Sequence, residues 1–122
     1  MITALFRTTV DSQTKEERVV PTGTVYSTPW NASMMTVNWS AQIEWTGTLS
    51  GTITLWYSNH PIPSLSDDTG WTQAPAGDFT AIATGGAAGS SVASGTKPFR
   101  WIRFKYTHTS GTGYLSGNVN QP

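Results

Sequence analysis

His60, His108, Glu44, Asp67, Asp68 and Asp78 are the side chains best suited to move a proton, and their spacing decides what chemistry they could share. Covalent catalysis needs a base within reach of a nucleophile and a third group to orient that base. The histidines stand far apart, His60 at the head of His-Pro-Ile-Pro and His108 between two threonines near a glycine-rich turn. Neither sits in a known motif, and His108 reads as a surface hydrogen-bonding group. Two carboxylates flanking a sugar could hydrolyse a glycosidic bond, but nothing in these positions sets any two at a working separation. Asp67-Asp68-Thr69-Gly70 looks superficially like a calcium loop, yet the spaced ligands and closing glutamate of such loops are missing. An Asx turn explains it better. The expectation is a protein without catalytic residues, metal or cofactor, and not an enzyme.

Aromatic and basic side chains offer a second kind of chemistry, namely binding. Six tryptophans in 122 residues could stack on sugar rings, or could supply buried area in a core or interface. Trp39 and Trp45 share one apolar stripe and belong to a core. Trp30, Trp56, Trp71 and Trp101 are left for a partner or ligand, with an interface preferred. Arg103 and Lys105 share a strand face with Trp101, an aromatic and basic stripe suited to an acidic neighbour. Phe6 and Arg7 join these as candidate contacts on the N-terminal segment.

The elements that must carry these groups are strands. From Met35 to Trp45 the chain alternates without a break: Met35, Val37, Trp39, Ala41, Ile43 and Trp45 point one way, and Thr36, Asn38, Ser40, Gln42 and Glu44 the other. A period of two marks a strand with one face in a core and one in water. Residues 52–58 repeat it, with Ile53, Leu55 and Tyr57 inward and Trp56 outward. Residues 99–109 do so again, with Ile102, Phe104 and Tyr106 opposite Trp101, Arg103, Lys105 and Thr107. Thr48-Leu49-Ser50-Gly51 and Ser110-Gly111-Thr112-Gly113 read as hairpin turns. Pro61 and Pro63 exclude a central strand, so residues 59–77 read as a long loop. Val92 and its neighbours read as an edge pairing. Many short strands, frequent turns and no helical period predict an all-β fold: a single antiparallel β-sandwich, jelly-roll-like, with an extended N-terminal arm. Residues 1–30, with five charged side chains between Asp11 and Arg18, form the arm or edge segment, and residues 31–122 the sandwich. On this division, removing residues 1–20 leaves a folded sandwich and abolishes docking.

Composition narrows the function further. Lys and Arg total 7 and Asp and Glu total 7, so no net positive field draws phosphate backbones or anionic lipid, and neither nucleic acid nor membrane is an expected partner. The absence of cysteine removes disulfides, thiolate metal sites and thiol nucleophiles together. No signal-like start or membrane-length apolar run is visible, which points to assembly in a cytoplasm. Asn31-Ala32-Ser33 and Asn38-Trp39-Ser40 match the glycosylation sequon by accident on this view.

Several segments in order carry a resemblance. They are Asn31-Ala32-Ser33, the alternating strand into Trp45-Thr46-Gly47-Thr48, Gly51 to Leu55, Ser58-Asn59, Asp68 to Thr72, and Phe99 to Thr107 with Ser110 to Gly113. Over residues 31 to about 119 the chain resembles small β-sandwich modules in virion proteins of tailed bacteriophages. The resemblance implies a virion structural protein, a head decoration or cement subunit that binds the major capsid protein on the capsid exterior and self-associates into a homo-oligomer. The alternative it leaves open is a carbohydrate-binding module of a tail fibre or baseplate that takes a surface glycan. The chain departs from the pattern at the inserted loop His60 to Asp67 and in its first thirty residues.

Overall fold

The computed structural model describes residues 2–7, 9–10, 17–33 and 37–122. Among them are eleven strands and no helix: β1 (Ile2–Ala4), β2 (Thr9–Val10), β3 (Glu17–Val19), β4 (Val25–Tyr26), β5 (Trp39–Trp45), β6 (Ser50–Ser58), β7 (Thr72–Gln73), β8 (Ile82–Ala83), β9 (Gly89–Gly95), β10 (Trp101–Ser110) and β11 (Leu115–Asn120). One sheet runs β2-β3-β11-β5-β9, with β1 also on β11. The other runs β4-β10-β6-β7, with β8 also on β6. Every pairing is antiparallel. The two sheets enclose one core, so the expected antiparallel β-sandwich is the fold observed.

The alternation builds this core directly. Trp39, Ala41, Ile43 and Trp45 are buried along β5 while Ser40, Gln42 and Glu44 face water. From the facing sheet, Ile53, Leu55 and Tyr57 of β6 and Ile102, Phe104 and Tyr106 of β10 meet them. Strand β5 is shorter than the alternation suggested: it begins at Trp39, Val37 lies outside it and is exposed, and Met35 is outside the described residues. At the centre, the Trp30 ring lies edge-on to Trp39 at 5.1 Å and 5.4 Å from Phe104. One aromatic cluster therefore joins both sheets, in the offset and edge-to-face geometry that rings prefer.

The two turns read as hairpins are corners instead. The Thr46–Leu49 link carries the chain from β5 in one sheet to β6 in the other, and residues 111–114 carry it back from β10 to β11. The corners run side by side and bond to each other. Thr48 N donates to Thr112 O at 2.8 Å and Thr46 N to Tyr114 O at 2.9 Å, while the Thr48 and Thr46 hydroxyls accept from the Thr112 and Tyr114 amides. Turn-forming residues signal a reversal locally, but the sheet that receives the next strand is a tertiary choice.

The N-terminal segment also needs correction. It is extended and follows sheet edges, but it is no detachable arm. Strand β1 pairs with β11, β3 with β11 and β4 with β10, and Trp30 exchanges two 2.9 Å backbone bonds with Ile102. Leu5 N donates to Gly117 O of one sheet and Leu5 O accepts from Thr28 N beside the other. Leu5 and Phe6 are 0% and 1% exposed. The boundary at residue 30 therefore divides no two structural units, and a sandwich without residues 1–20 would lack core side chains and edge pairing. Truncating Phe6 to alanine should cost about 3–5 kcal/mol, and Leu5 to alanine about 2–5. Urea unfolding should register both as lower midpoints with unchanged slope.

Candidate functional site

Strand β10 puts its odd-numbered residues on the outer face of its sheet, as the alternation required, and this places Arg103 opposite Trp56 of β6. An outer-face arginine would ordinarily lie in water. Here the segment from Asn59 to Trp71, kept out of the sheet by Pro61 and Pro63, folds back across it, and Arg103 is 1% exposed. Its guanidinium carbon sits 4.0 Å from the Tyr26 ring centroid and 4.1 Å from that of Trp71. Nη1 donates to Ser64 O at 2.9 Å and Nη2 to Asp67 O at 2.6 Å. Asp68 Oδ1 lies 3.7 Å from Nη2. Burying a guanidinium costs several kcal/mol. Two ring faces, two carbonyls and a nearby carboxylate offset that cost, and all but the Tyr26 ring belong to the covering loop.

A second layer of bonds surrounds the first. Asp68 accepts from Lys105 Nζ at 2.7 Å and from Tyr26 Oη at 3.0 Å. Lys105 also stands 4.9 Å from the Trp56 centroid. Trp71 Nε1 donates to Ser64 O at 2.7 Å, and Ser58 Oγ donates to Gly70 O at 2.6 Å. Asp67 Oδ1 accepts from Thr69 N at 2.9 Å, the Asx turn expected there. The Lys105 hydrogen bond holds the Asp68 carboxyl below its usual value, against the effect of burial. The Thr69 amide does the same for Asp67. Burial raises the Tyr26 hydroxyl, reinforced by Asp68, and burial lowers Arg103, against the opposing pull of Tyr26 and the two carboxylates.

What this lock presents outward is apolar. Ile62 is 83% exposed and Leu65 67%. With Pro29, Pro61, Pro63 and Trp101 they frame a shallow depression of about 250 Å³. A second depression of about 400 Å³, lined by Phe6, Arg7, Val25 and Tyr26 among others, shares Pro29 and Leu65 with it, so the two form one belt. Elsewhere, at the end of the sandwich, a cleft of about 510 Å³ is lined by Tyr57, Phe99, Asn59, Gln73, Asp78 and Lys97. Tyr57 and Phe99 stack there at 4.1 Å and 14°. The Tyr57 hydroxyl donates to Asp78 at 3.3 Å, and burial, then Asp78, push its pKa up to about 12.

The candidate contacts of the sequence divide accordingly. Phe6, Trp30, Trp71 and Arg103 are buried inside the chain, which corrects their placement as surface anchors: the first two fill the core and the last two form the lock. Trp56, Trp101 and Lys105 are half-buried on the outer face of the same sheet, and Arg7 is exposed at the rim of the belt. Sequence reasoning missed Tyr26, Ser64, Ile62 and Leu65. Ile62 and Leu65 did carry a signal, being large apolar residues in a loop that prolines bar from any sheet. His60 and His108 fall at opposite ends of the β6–β10 ladder, where Nδ1 of the first accepts from Ile62 N and Nδ1 of the second meets Tyr106 Oη. Among the described residues no group of three His, Cys, Asp or Glu could hold a metal ion.

Comparison with protein-family models, with curated proteins and with solved structures finds no match. The chemistry of the site must therefore be read from its own groups. Arg103 and Lys105 both lie against Asp68, and these contacts fix the loop across the sheet.

Arg103→Lys keeps the charge but loses the planar fork that reaches both carbonyls. It should cost about 2–4 kcal/mol, and hydrogen exchange should show the Ser64–Trp71 amides opening ahead of β10. The acid dependence has a definite sign. The Asp68 pKa is lowered from 3.8 in the folded chain, so its stabilisation is complete above that pH and is lost as pH falls through the folded value. Loop protection followed against pH should stay flat from pH 8 to 5 and decline only below about pH 4.

Proposed function

We propose that this chain is a non-enzymatic structural subunit that docks on another protein through the apolar belt around Ile62 and Leu65. Following the family resemblance, we place it as a head decoration or cement protein of a tailed bacteriophage, assembled in the host cytoplasm and bound to the major capsid protein on the capsid exterior. The observation that carries the docking reading is the pairing of a loop fixed from beneath with large apolar side chains held in water above it. Exposed apolar clusters mark interaction surfaces, and a loop ordered before binding loses little entropy on docking. Burying Ile62 and Leu65 against a capsid surface contributes about 1.5–3 kcal/mol each. Repeated over many copies, even a modest contact stabilises a shell, because each bound subunit favours the assembled state by mass action. The neutral, polar remainder of the surface offers no field for nucleic acid or anionic lipid.

One observation favours a second reading. The Tyr57–Phe99 cleft combines stacked rings with amide, carboxylate and ammonium side chains, within the usual size range of small-ligand sites. Its size and chemistry suit a sugar residue, as a glycan-binding module of a fibre or baseplate would need. In that role it would replace the tryptophans first considered, of which Trp30 and Trp71 are buried and Trp56 and Trp101 half-buried.

Sedimentation of the purified chain with assembled shells of the capsid protein separates the two. On the docking reading the chain co-sediments to a fixed ratio, and Ile62→Asp with Leu65→Asp weakens binding at least about 100-fold without changing the unfolding midpoint. Absence of binding to shells, together with fluorescence changes on titration with cell-wall oligosaccharides, would transfer the function to the cleft.

A further inference from the structure

Strand β9 closes one side of its sheet, paired with β5 on one flank and with no strand on the other among the described residues. A bare edge presents a row of unpaired amides and carbonyls, and proteins ordinarily guard it with charge, proline, a bulge or brevity. The other edges here are guarded. Strands β2, β4, β7 and β8 are two residues long, and β1 is three. Strand β9 has seven residues, Gly-Ser-Ser-Val-Ala-Ser-Gly, with no charge, no proline and no irregularity in its register with β5. Its central valine, Val92, is 72% exposed.

We infer that β9 is a self-association edge, pairing antiparallel with β9 of a second copy about a two-fold axis at Val92. The sequence of the strand is nearly its own mirror about that residue. In this register Val92 faces its counterpart, Ser90 faces Ser94, Ser91 faces Ala93, and Gly89 faces Gly95. A two-fold interface requires such self-complementarity, and side chains this small let two backbones reach ladder distance without a clash. The terminal glycines have a reason of their own: a Cβ at Gly95 would stand 2.6 Å from Trp39 Nε1 and one at Gly89 3.0 Å from the Trp45 ring. Of the central residues, Ala93 packs against the core, while Ser90, Val92 and Ser94 are exposed. Electrostatics permits the pair as well. Glu44, the charged side chain of β5 beside the edge, pairs with Ser90. By standard strand spacings the two copies of Glu44 lie about 20 Å apart, beyond the ~8–10 Å screening length.

Cysteine substitution tests the register in a chain that has none of its own. On mild oxidation, Val92→Cys should give a covalent dimer almost completely, because directly opposed strand positions come within disulfide reach. Ser90→Cys alone should not, its two copies being roughly 14 Å apart, whereas an equal mixture of Ser90→Cys and Ser94→Cys should cross-link. In sedimentation velocity the unmodified chain should move from 13.2 kDa toward twice that mass with rising concentration. Val92→Lys should stay monomeric with the same unfolding midpoint, since like charges would then meet at the axis. A chain that stays monomeric up to about 1 mM, or Ser90→Cys cross-linking as readily as Val92→Cys, would overturn the assignment. The Ile62→Asp, Leu65→Asp variant should dimerise normally, which separates this edge from the docking belt.

Discussion

A cation that the sheet cannot solvate organises the outer half of this molecule. Arg103 stands midway along β10, on the face that a two-layer sandwich would leave in water, yet almost none of it is accessible. A guanidinium withdrawn from water must have its donors satisfied and its charge met nearby. Most of the groups that do so lie on one loop: the carbonyls of Ser64 and Asp67, the carboxylate of Asp68 and the ring of Trp71. The sheet therefore needs the loop to satisfy Nη1 and Nη2 of Arg103, though the buried Nε finds no hydrogen-bond partner, and the loop, barred by Pro61 and Pro63 from making a strand, takes its path over Arg103. Each holds the other in place. The positions of Ile62, Leu65 and Trp101 follow from that mutual dependence.

A similar dependence holds the opposite layer to the first. Trp30 bonds through its backbone to β10 and packs its ring against both Trp39 and Phe104, which also touch each other, while Leu5 is bonded to Gly117 on one side and Thr28 on the other. Aromatic packing through the middle and backbone bonds along the flank both tie the sheets together. The paired corners at Thr46–Thr48 and Thr112–Tyr114 do the same at one end. With no disulfide available, these are the connections that keep two short-stranded sheets in register.

The legible parts of the sequence were those governed by a single local rule. Strand β5 could be read because Ser40, Gln42 and Glu44 meet water while Trp39, Ala41, Ile43 and Trp45 meet the core, and a period of two reports that contrast directly. The same rule misled at Arg103. It assigned the correct face, and charge then suggested solvent, because the acceptors that bury it are 36 and 39 residues away in the chain. Leu5 and Phe6 are adjacent core residues in a segment whose strands are two or three residues long, too short for any period to appear, and the charges beyond them suggested an arm. The turns at Thr48 and Gly111 were visible as turns, but local chemistry does not encode whether the next strand returns to the same sheet or crosses to the other. The docking loop was legible only as an insertion, since its shape is set by side chains elsewhere.

Position gives the two proposed surfaces a common logic. The apolar belt lies along β10 and the N-terminal edge, where Pro29, Tyr26 and Leu65 meet Leu5 and Phe6. Strand β9 is at the far end of the other sheet, separated from β3 by β5 and β11. A two-fold pairing at β9 would leave both belts uncovered and pointing away from the axis, so one surface can join copies while the other grips a foreign protein. The two also differ in the energy they draw on. The belt relies on apolar area held by a rigid loop, which needs a shaped partner. The β9 edge relies on backbone bonds that any extended strand could supply, and only its near-symmetric small side chains single out a second copy of itself. Selectivity at that edge therefore comes from what the side chains do not obstruct, and adding one bulky or charged group there should be more damaging than removing any contact it now makes.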